Sequence, residues 1–337
     1  MYVLGLDVGK SEVYARLLVL RTGAAPQAIG TVQVFIYDRS GLQALRTWLI
    51  KASVLLPELH AVMEATGVYW ERLAYFLHEL GCTVSVVNPA QIKFFAQSSL
   101  RRGKTDKMDA DIIARYGAIM RPKAWTPPVA ELEALKLLVH ERDAIVKELS
   151  QTKNRRHALK QRQEADGLVV KLTEDRIAFL TGQVEALDRE LRTRVETQPE
   201  LRQQVELLQS LPGFGFLVSL TVLVETAAFS TIQTHRQLAA YAGVSPAPNQ
   251  SGAMNKRGRI SKIGNPRLRR IVYLAAVAAT RTQSKEKAFY QRLRDQGKPG
   301  KVAITALARK LLCVGLAVVQ SGQPYDPEYE RPKKQAA

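Results

Sequence analysis

The sequence predicts an α/β domain at the start of the chain, a long helical arm in the middle and a mostly α-helical domain at the end. Three observations predict this. Before Pro122 the apolar runs follow the order βββαβαβα, the pattern of a sheet with an antiparallel meander at one side. From Glu131 the apolar residues recur at three- and four-residue spacing with charges between them. From Leu211 onward, turns marked by Gly and Pro separate apolar helical stretches. The expected divisions are residues 1–125, 129–208 and 209–325, with 326–337 a flexible tail.

The first domain is justified run by run. Tyr2 to Lys10 is an apolar strand that ends in Asp7 and Gly9, and Ser11 to Leu20 continues as a second strand. Ile29 to Tyr37 alternates Val32, Val34 and Ile36 and reads as a third. Asp38 to Ala52 is a helix with Leu42, Leu45, Trp48 and Leu49 inward. Leu59 to Glu64 is another strand that ends in an acid. Tyr69 to Leu80 is a helix stopped by Gly81, and Cys82 to Val87 is the fifth strand. Ala90 to Gln97 and Asp106 to Met120 are helices, and Pro122, Pro127 and Pro128 mark a linker.

The arm comprises two long helices interrupted at Asp166-Gly167. They form either an antiparallel hairpin or a coiled coil with another subunit. In the last domain, Leu211-Pro212-Gly213-Phe214-Gly215 between two helices is a helix-hairpin-helix pattern. Its amides can approach a phosphate, or the turn can simply join two core helices. Thr234 to Tyr241 is a further helix. Val244 to Gly264 is loop-rich, and Asn265-Pro266 opens a basic helix. Lys301 to Val319 is the last helix. Arg309 and Lys310 interrupt its apolar run, so it reads as buried and not as a membrane span. From Gly322 the chain is expected to be poorly ordered.

The formal net charge of +18 and a pI near 10.0 point to a polyanionic partner, DNA or RNA, bound through contacts that weaken with salt. Membrane association is not expected, because no amphipathic helix joins a basic face to bulky aromatics. The two cysteines, Cys82 and Cys313, lie in apolar runs. They read as buried thiols of a reducing, cytoplasmic compartment, not as a disulfide or zinc site.

The chemistry concentrates at Arg101-Arg102-Gly103-Lys104-Thr105-Asp106-Lys107-Met108-Asp109-Ala110. If Thr105 or Asp106 caps a helix, Asp106 and Asp109 share one face. Alone, the pair is either a metal site or a helix start whose acids complement the dipole. Asp7 and Glu64, each at a strand end, turn the pair into a set of four carboxylates. Such a cluster is costly unless metal neutralises it. Two Mg²⁺ ions about 4 Å apart would hold the attacking and leaving oxygens of a phosphodiester displacement. Arg101, Arg102 and Lys104 precede the pair. Lys256, Arg257, Arg259 and Lys262, with Arg267, Arg269 and Arg270, supply further candidates for nucleic-acid contact.

The segments Gly5-Leu6-Asp7-Val8-Gly9-Lys10, Met63-Glu64-Ala65-Thr66-Gly67 and Lys104-Thr105-Asp106-Lys107-Met108-Asp109-Ala110 resemble the motifs of a RuvC-like (RNase H-type) DEDD domain. The family is that of DEDD insertion-sequence transposases, related to Piv-type DNA invertases and including bridge-RNA-guided recombinases. The likeness spans nearly the whole chain. It includes a coiled-coil arm and a C-terminal transposase domain with Leu211-Pro212-Gly213-Phe214-Gly215 and Tyr241-Ala242-Gly243.

The resemblance implies that Asp7, Glu64, Asp106 and Asp109 bind Mg²⁺, with Mn²⁺ able to substitute. It implies a serine nucleophile at Gln250-Ser251-Gly252. From the residues alone, Ser251 is a loop serine with Ser245 and Ser261 as rivals. The implied reaction passes through a 5′-phosphoserine link and a Holliday-junction-like intermediate. The implied partners are target and donor duplex DNA, a structured guide RNA, and further copies of the chain in a dimer of dimers that shares active sites, acting at the nucleoid. A hydrolytic junction-resolving nuclease and a non-catalytic nucleic-acid scaffold are the competing readings.

Overall fold

The computed structural model describes residues 1–98, 105–251, 254–282 and 284–328, with only the course of the strands over 247–259. The chain forms two compact units, Met1–Pro127 and Pro128–Ala337.

The first unit is a mixed sheet between two helix layers. β1 (Tyr2–Val8) pairs antiparallel with β2 (Glu12–Val19) across a turn closed by the Gly9 amide on the Glu12 carbonyl, 2.9 Å. The predicted third strand, Ile29 to Tyr37, is shorter than expected and is preceded by a separate two-residue strand. β3 (Gln27–Ala28) and β4 (Gln33–Ile36) both pair with β2, because Gly30 between them takes a left-handed φ of 64° that breaks the extended run. On the other side, β5 (Leu59–Glu64) and β6 (Thr83–Val87) run parallel to β1, giving the order β3-β2-β1-β5-β6. The meander at one side of a parallel core is the predicted architecture.

The alternation of strand side chains decides what each face carries. Leu4, Leu6 and Val8 of β1 pack with α1 (Arg39–Lys51) and α2 (Tyr69–Glu79) through Leu42, Leu45, Leu49, Leu73 and Leu77. Val3, on the opposite face with Gly5 and Asp7, packs with α3 (Pro89–Ser98) and α4 (Asp106–Met120) through Ile92, Ile113 and Ala114. Asp38 caps α1 by accepting from the Gly41 amide at 2.7 Å, and α4 begins at the predicted Thr105, whose hydroxyl accepts from the Met108 amide.

The second unit begins with α5 (Ala130–Lys160) and α6 (Gly167–Glu196), joined through Asp166, which caps α6. Arg142 pairs with Asp188 while Glu148 pairs with Arg176, so the two helices run antiparallel within one chain. Leu135, Val139, Leu191 and Val195 at the arm's base enter a core shared with the helices that follow. These are α7 (Pro199–Gln209), α8 (Phe216–Glu225), α9 (His235–Tyr241), α10 (Pro266–Ala279), α11 (Lys285–Asp295) and α12 (Gly300–Ser321).

In the turn between α7 and α8, Gly213 lies against the Ala275 carbonyl of α10, and Leu211 and Phe214 are buried. The turn therefore joins core helices. The α12 helix has the length and apolarity of a membrane span, but Ile304, Leu307, Leu311, Leu312 and Leu316 are core residues.

Two expectations are corrected. The loop-rich stretch after Val244 contains a hairpin, β7 (Pro246–Ser251) and β8 (Met254–Ile260). The segment after Gly322 is docked at Tyr325, whose amide donates to Ser210 and whose hydroxyl donates to the buried Glu286, both at 2.7 Å. A tyrosine can bury its ring and still satisfy its hydroxyl, which holds a Pro-rich tail that composition alone marks as loose.

Candidate active site

Asp7 is the third residue of β1 on the α4 face, after Val3 and Gly5. Glu64 is the last residue of β5, next to Asp7 because Leu6 pairs with Met63 in the parallel register. Strand ends thus deliver two carboxylates to one edge, and α4 delivers two more from its first turn. Oxygens of Asp7, Asp106 and Asp109 lie within 4.8 Å of one another. Glu64 lies outside that group but lines the same cavity of about 340 Å³, where it accepts from the Thr66 hydroxyl at 2.7 Å.

Small residues let α4 approach. A methyl on Gly117 would meet Val62 at 2.6 Å, so the helix lies directly on the sheet. Arg16, on the same face of β2 as Tyr14, is half-buried against α4. Its guanidinium lies 3.3 Å from Asp111 and donates to the Gly30 carbonyl at 2.8 Å, and Arg115 binds Asp111 from the other side. These contacts hold α4 at the position that brings its acids over Asp7.

Two residues in the cavity were missed from sequence. Tyr14 stands opposite Asp7 in the β1–β2 register, and Glu12 lies two residues earlier on the same face. Tyr14 donates to Glu12 at 2.9 Å. That hydrogen bond is the first cause of a phenol pKa held above its usual value, followed by desolvation and the nearby acids. The signal was available: once a tight turn joins β1 to β2, residues 12, 14 and 16 must face the same way as Asp7.

The donor set contains only carboxylate oxygens, the ligands that hard divalent cations such as Mg²⁺, Mn²⁺ or Ca²⁺ take. Gathered carboxylates repel one another unless positive charge intervenes. The residues therefore fit a divalent metal.

The remaining predicted residues fall elsewhere. Arg101, Arg102 and Lys104 lie outside the described residues. Ser251 is the last residue of β7, paired with Met254 at the end of the hairpin farthest from its feet. The rival serines lie at the feet, where the Ser261 amide donates to the Ser245 carbonyl and the Ser261 hydroxyl accepts from the Ile263 amide. Lys256, Arg257 and Arg259 are on β8, and Lys262 is exposed just beyond it. Arg267 and Arg270 share Asp143 of α5, while Arg269 donates to the Ala242 and Lys262 carbonyls. All three guanidiniums thus have partners within the second unit, and Arg267 and Arg270 remain partly exposed.

Comparison with known proteins places this arrangement. Residues 4–162 match the DEDD transposase model of the IS110 group, and residues 205–291 match the model of the Transposase IS116/IS110/IS902 family. The pilin gene-inverting protein of Moraxella bovis is 33% identical over 296 residues, covering 87% of this chain and 89% of the relative. A probable family 20 transposase of Pseudomonas aeruginosa is 26% identical, covering 88% of this chain and 95% of the relative. Thermus thermophilus RuvC, solved with a Holliday junction substrate, superposes on 37% of this chain and all of its own. The sequence identity is 14% and the TM-score 0.27, too low to define a shared fold. With Asp7, Asp106 and Asp109 gathered inside the segment that matches the DEDD model and the likeness running over most of its length, the chain belongs to the IS116/IS110/IS902 family of DEDD transposases.

Proposed function

We propose that this protein cuts and rejoins DNA strands with a site in two parts, the acids of the first unit and Ser251 of the second. The observation that carries the proposal is the convergence of Asp7, Asp106 and Asp109 on one edge of the sheet, inside the segment that matches the DEDD model. A relative named for inverting a pilin gene, alike over most of its length, supports recombination as the outcome.

The Asp7, Glu64, Asp106 and Asp109 carboxylates hold Mg²⁺, or Mn²⁺ in its place. Bound there, the cation supplies Lewis-acid stabilisation of charge developing on phosphate oxygens. The Ser251 hydroxyl gives up its proton and its oxygen bonds to phosphorus. The P–O3′ bond breaks and the 3′-oxygen takes up a proton, leaving a 5′-phosphoserine link. The 3′-hydroxyl of a partner strand then attacks that link and serine regains its proton. The number of phosphoester bonds is unchanged, so no nucleotide hydrolysis is needed, and exchange passes through a Holliday-junction-like intermediate.

By family resemblance the proposal extends to target and donor duplexes chosen by a structured guide RNA, and to four copies that share their active sites. Lys256, Arg257, Arg259 and Lys262, close to Ser251 in sequence, are the cations proposed to meet the phosphate backbone, with Arg101, Arg102 and Lys104 beside the acids.

The test is a covalent protein–DNA adduct trapped with the wild type and sought with Ser251→Ala. Its absence in the variant, with DNA binding kept, is the expected result. Cutting and rejoining by Ser251→Ala would overturn the serine, and cutting without adduct or rejoining in both proteins would leave a hydrolytic nuclease as the better reading. Sequencing RNA that co-purifies with the full chain tests the guide, and a structured RNA is expected.

A further inference from the structure

The α8 helix ends in Glu225, whose side chain is only 4% exposed yet carries no apolar role. One carboxylate oxygen lies 2.7 Å from Nε2 of His140 on α5, and the other accepts from the Asn265 amide at 2.6 Å. The backbone carbonyl of the same residue accepts from the Tyr241 hydroxyl at 2.7 Å. Partnered in this way, the carboxyl is held below its usual pKa despite a burial that pushes the other way. A buried carboxylate kept ionised on three neighbouring elements needs a reason beyond packing, since apolar residues would pack at no desolvation cost.

The partners are the two feet of the β7–β8 hairpin. Tyr241 is the last residue of α9, just before β7. Asn265 follows β8 and caps α10 through its other atom, accepting from the Arg267 and Leu268 amides. The feet are themselves joined, the Asn265 amide donating to the Tyr241 carbonyl at 2.6 Å and the Lys262 amide to the Gly243 carbonyl. Glu225 therefore meets both feet of the hairpin, Asn265 through its carboxylate and Tyr241 through its backbone carbonyl. His140 ties these contacts to the arm, and Asp143, one turn further along α5, adds a second tie through Arg267 and Arg270. Directly after Glu225 and Thr226, three successive residues (Ala227, Ala228 and Phe229) take left-handed φ values of 46°, 51° and 60°. For non-glycine residues that backbone is costly and persists only where the surroundings enforce it.

We propose that Glu225 is a positioning residue: shared among His140, Asn265 and Tyr241, it locks the hairpin to the arm helix α5 and so sets where Ser251 stands. This rests on Ser251 being the nucleophile. The lock couples the attitude of the arm to the reacting end of the hairpin, which lies a full strand length away from the buried carboxylate.

The test uses the full-length chain. Amide hydrogen exchange over residues 246–260 reads the lock directly, and adduct yield reads its consequence. Glu225→Ala is expected to speed hairpin exchange on the order of ten- to a hundredfold and to lower adduct yield similarly, with DNA binding kept. Glu225→Gln provides the chemical control. Its amide oxygen can accept from Asn265 and its NH₂ can donate to His140, so it should keep hairpin exchange and adduct yield close to the wild type where the Ala variant loses both.

Wild-type exchange over 246–260 in a folded Glu225→Ala protein, or faster exchange with undiminished adduct, overturns the proposal. So does a Gln variant that exchanges as fast as the Ala variant. Persistence of the adduct in Ser251→Ala would instead remove the serine reading, and hairpin exchange would still decide whether Glu225 is the lock.

Discussion

Gly5 of β1 and Ala114 of α4 are in direct backbone contact: a methyl group on Gly5 would stand 2.2 Å from the Ala114 nitrogen and 2.4 Å from the Ala110 carbonyl oxygen. Only a residue without Cβ lets the helix lie on the strand this closely. Asp7 is two residues beyond Gly5, and Asp106 is one turn before Ala110. The same contact therefore sets the distance between the acids.

Gly5→Ala should push α4 away from the sheet. The expected destabilisation is about 1–3 kcal/mol, typical of overpacking. Mn²⁺ affinity should fall more than stability alone explains, because the cluster opens. Calorimetric metal titration beside thermal melting checks this. Unchanged Mn²⁺ affinity in the variant would contradict the spacing role.

Asp7→Asn and Asp106→Asn should each weaken Mn²⁺ binding by more than about tenfold. Strand cleavage should be lost in both, while DNA affinity at a fixed salt concentration stays within a fewfold of the wild type. A variant that still cleaves in the presence of a chelator would exclude a metal at these residues.

His60 is buried on β5, with Nε2 2.8 Å from the Ser85 hydroxyl, which also meets the Pro122 and Lys123 carbonyls at the start of the linker. Burial holds its pKa below the usual 6.5. The folded state thus resists a proton that the unfolded chain accepts. This contribution to stability is full above pH 6.5 and is lost as pH falls through the folded value. His60→Gln, which cannot titrate, should flatten that part of the melting-temperature profile. An identical profile in the two proteins would assign the acid sensitivity elsewhere.

Tyr325→Phe removes the hydroxyl that donates to Glu286, a residue with 2% exposure. The stranded carboxylate should cost about 1–3 kcal/mol in a urea melt. Proteolysis after Gly322 should accelerate as the segment detaches. Wild-type resistance to cleavage would show that the Tyr325 amide contact with Ser210 suffices.

Much of this protein was legible as a string. The apolar runs at Tyr2–Val8 and Leu59–Glu64 and the helix capped at Thr105 are local patterns, and local patterns survive in sequence. The β3–β4 break at Gly30, the hairpin after Pro246 and the docking of Tyr325 were not legible. Each depends on a partner strand or core surface distant along the chain.

By itself, then, the sequence determined the element order, the strand ends that carry Asp7 and Glu64, and the helix start that carries Asp106 and Asp109. Only the tertiary structure decided that three of those acids meet within 4.8 Å, and that Arg267 and Arg270 share Asp143 while Arg269 meets the Ala242 and Lys262 carbonyls. The physical reason is the same in each case. Strand and helix periods fix the direction of a side chain within its own element, whereas its neighbours depend on register and on how closely two elements can pack, which at Gly5 is a matter of one missing methyl group.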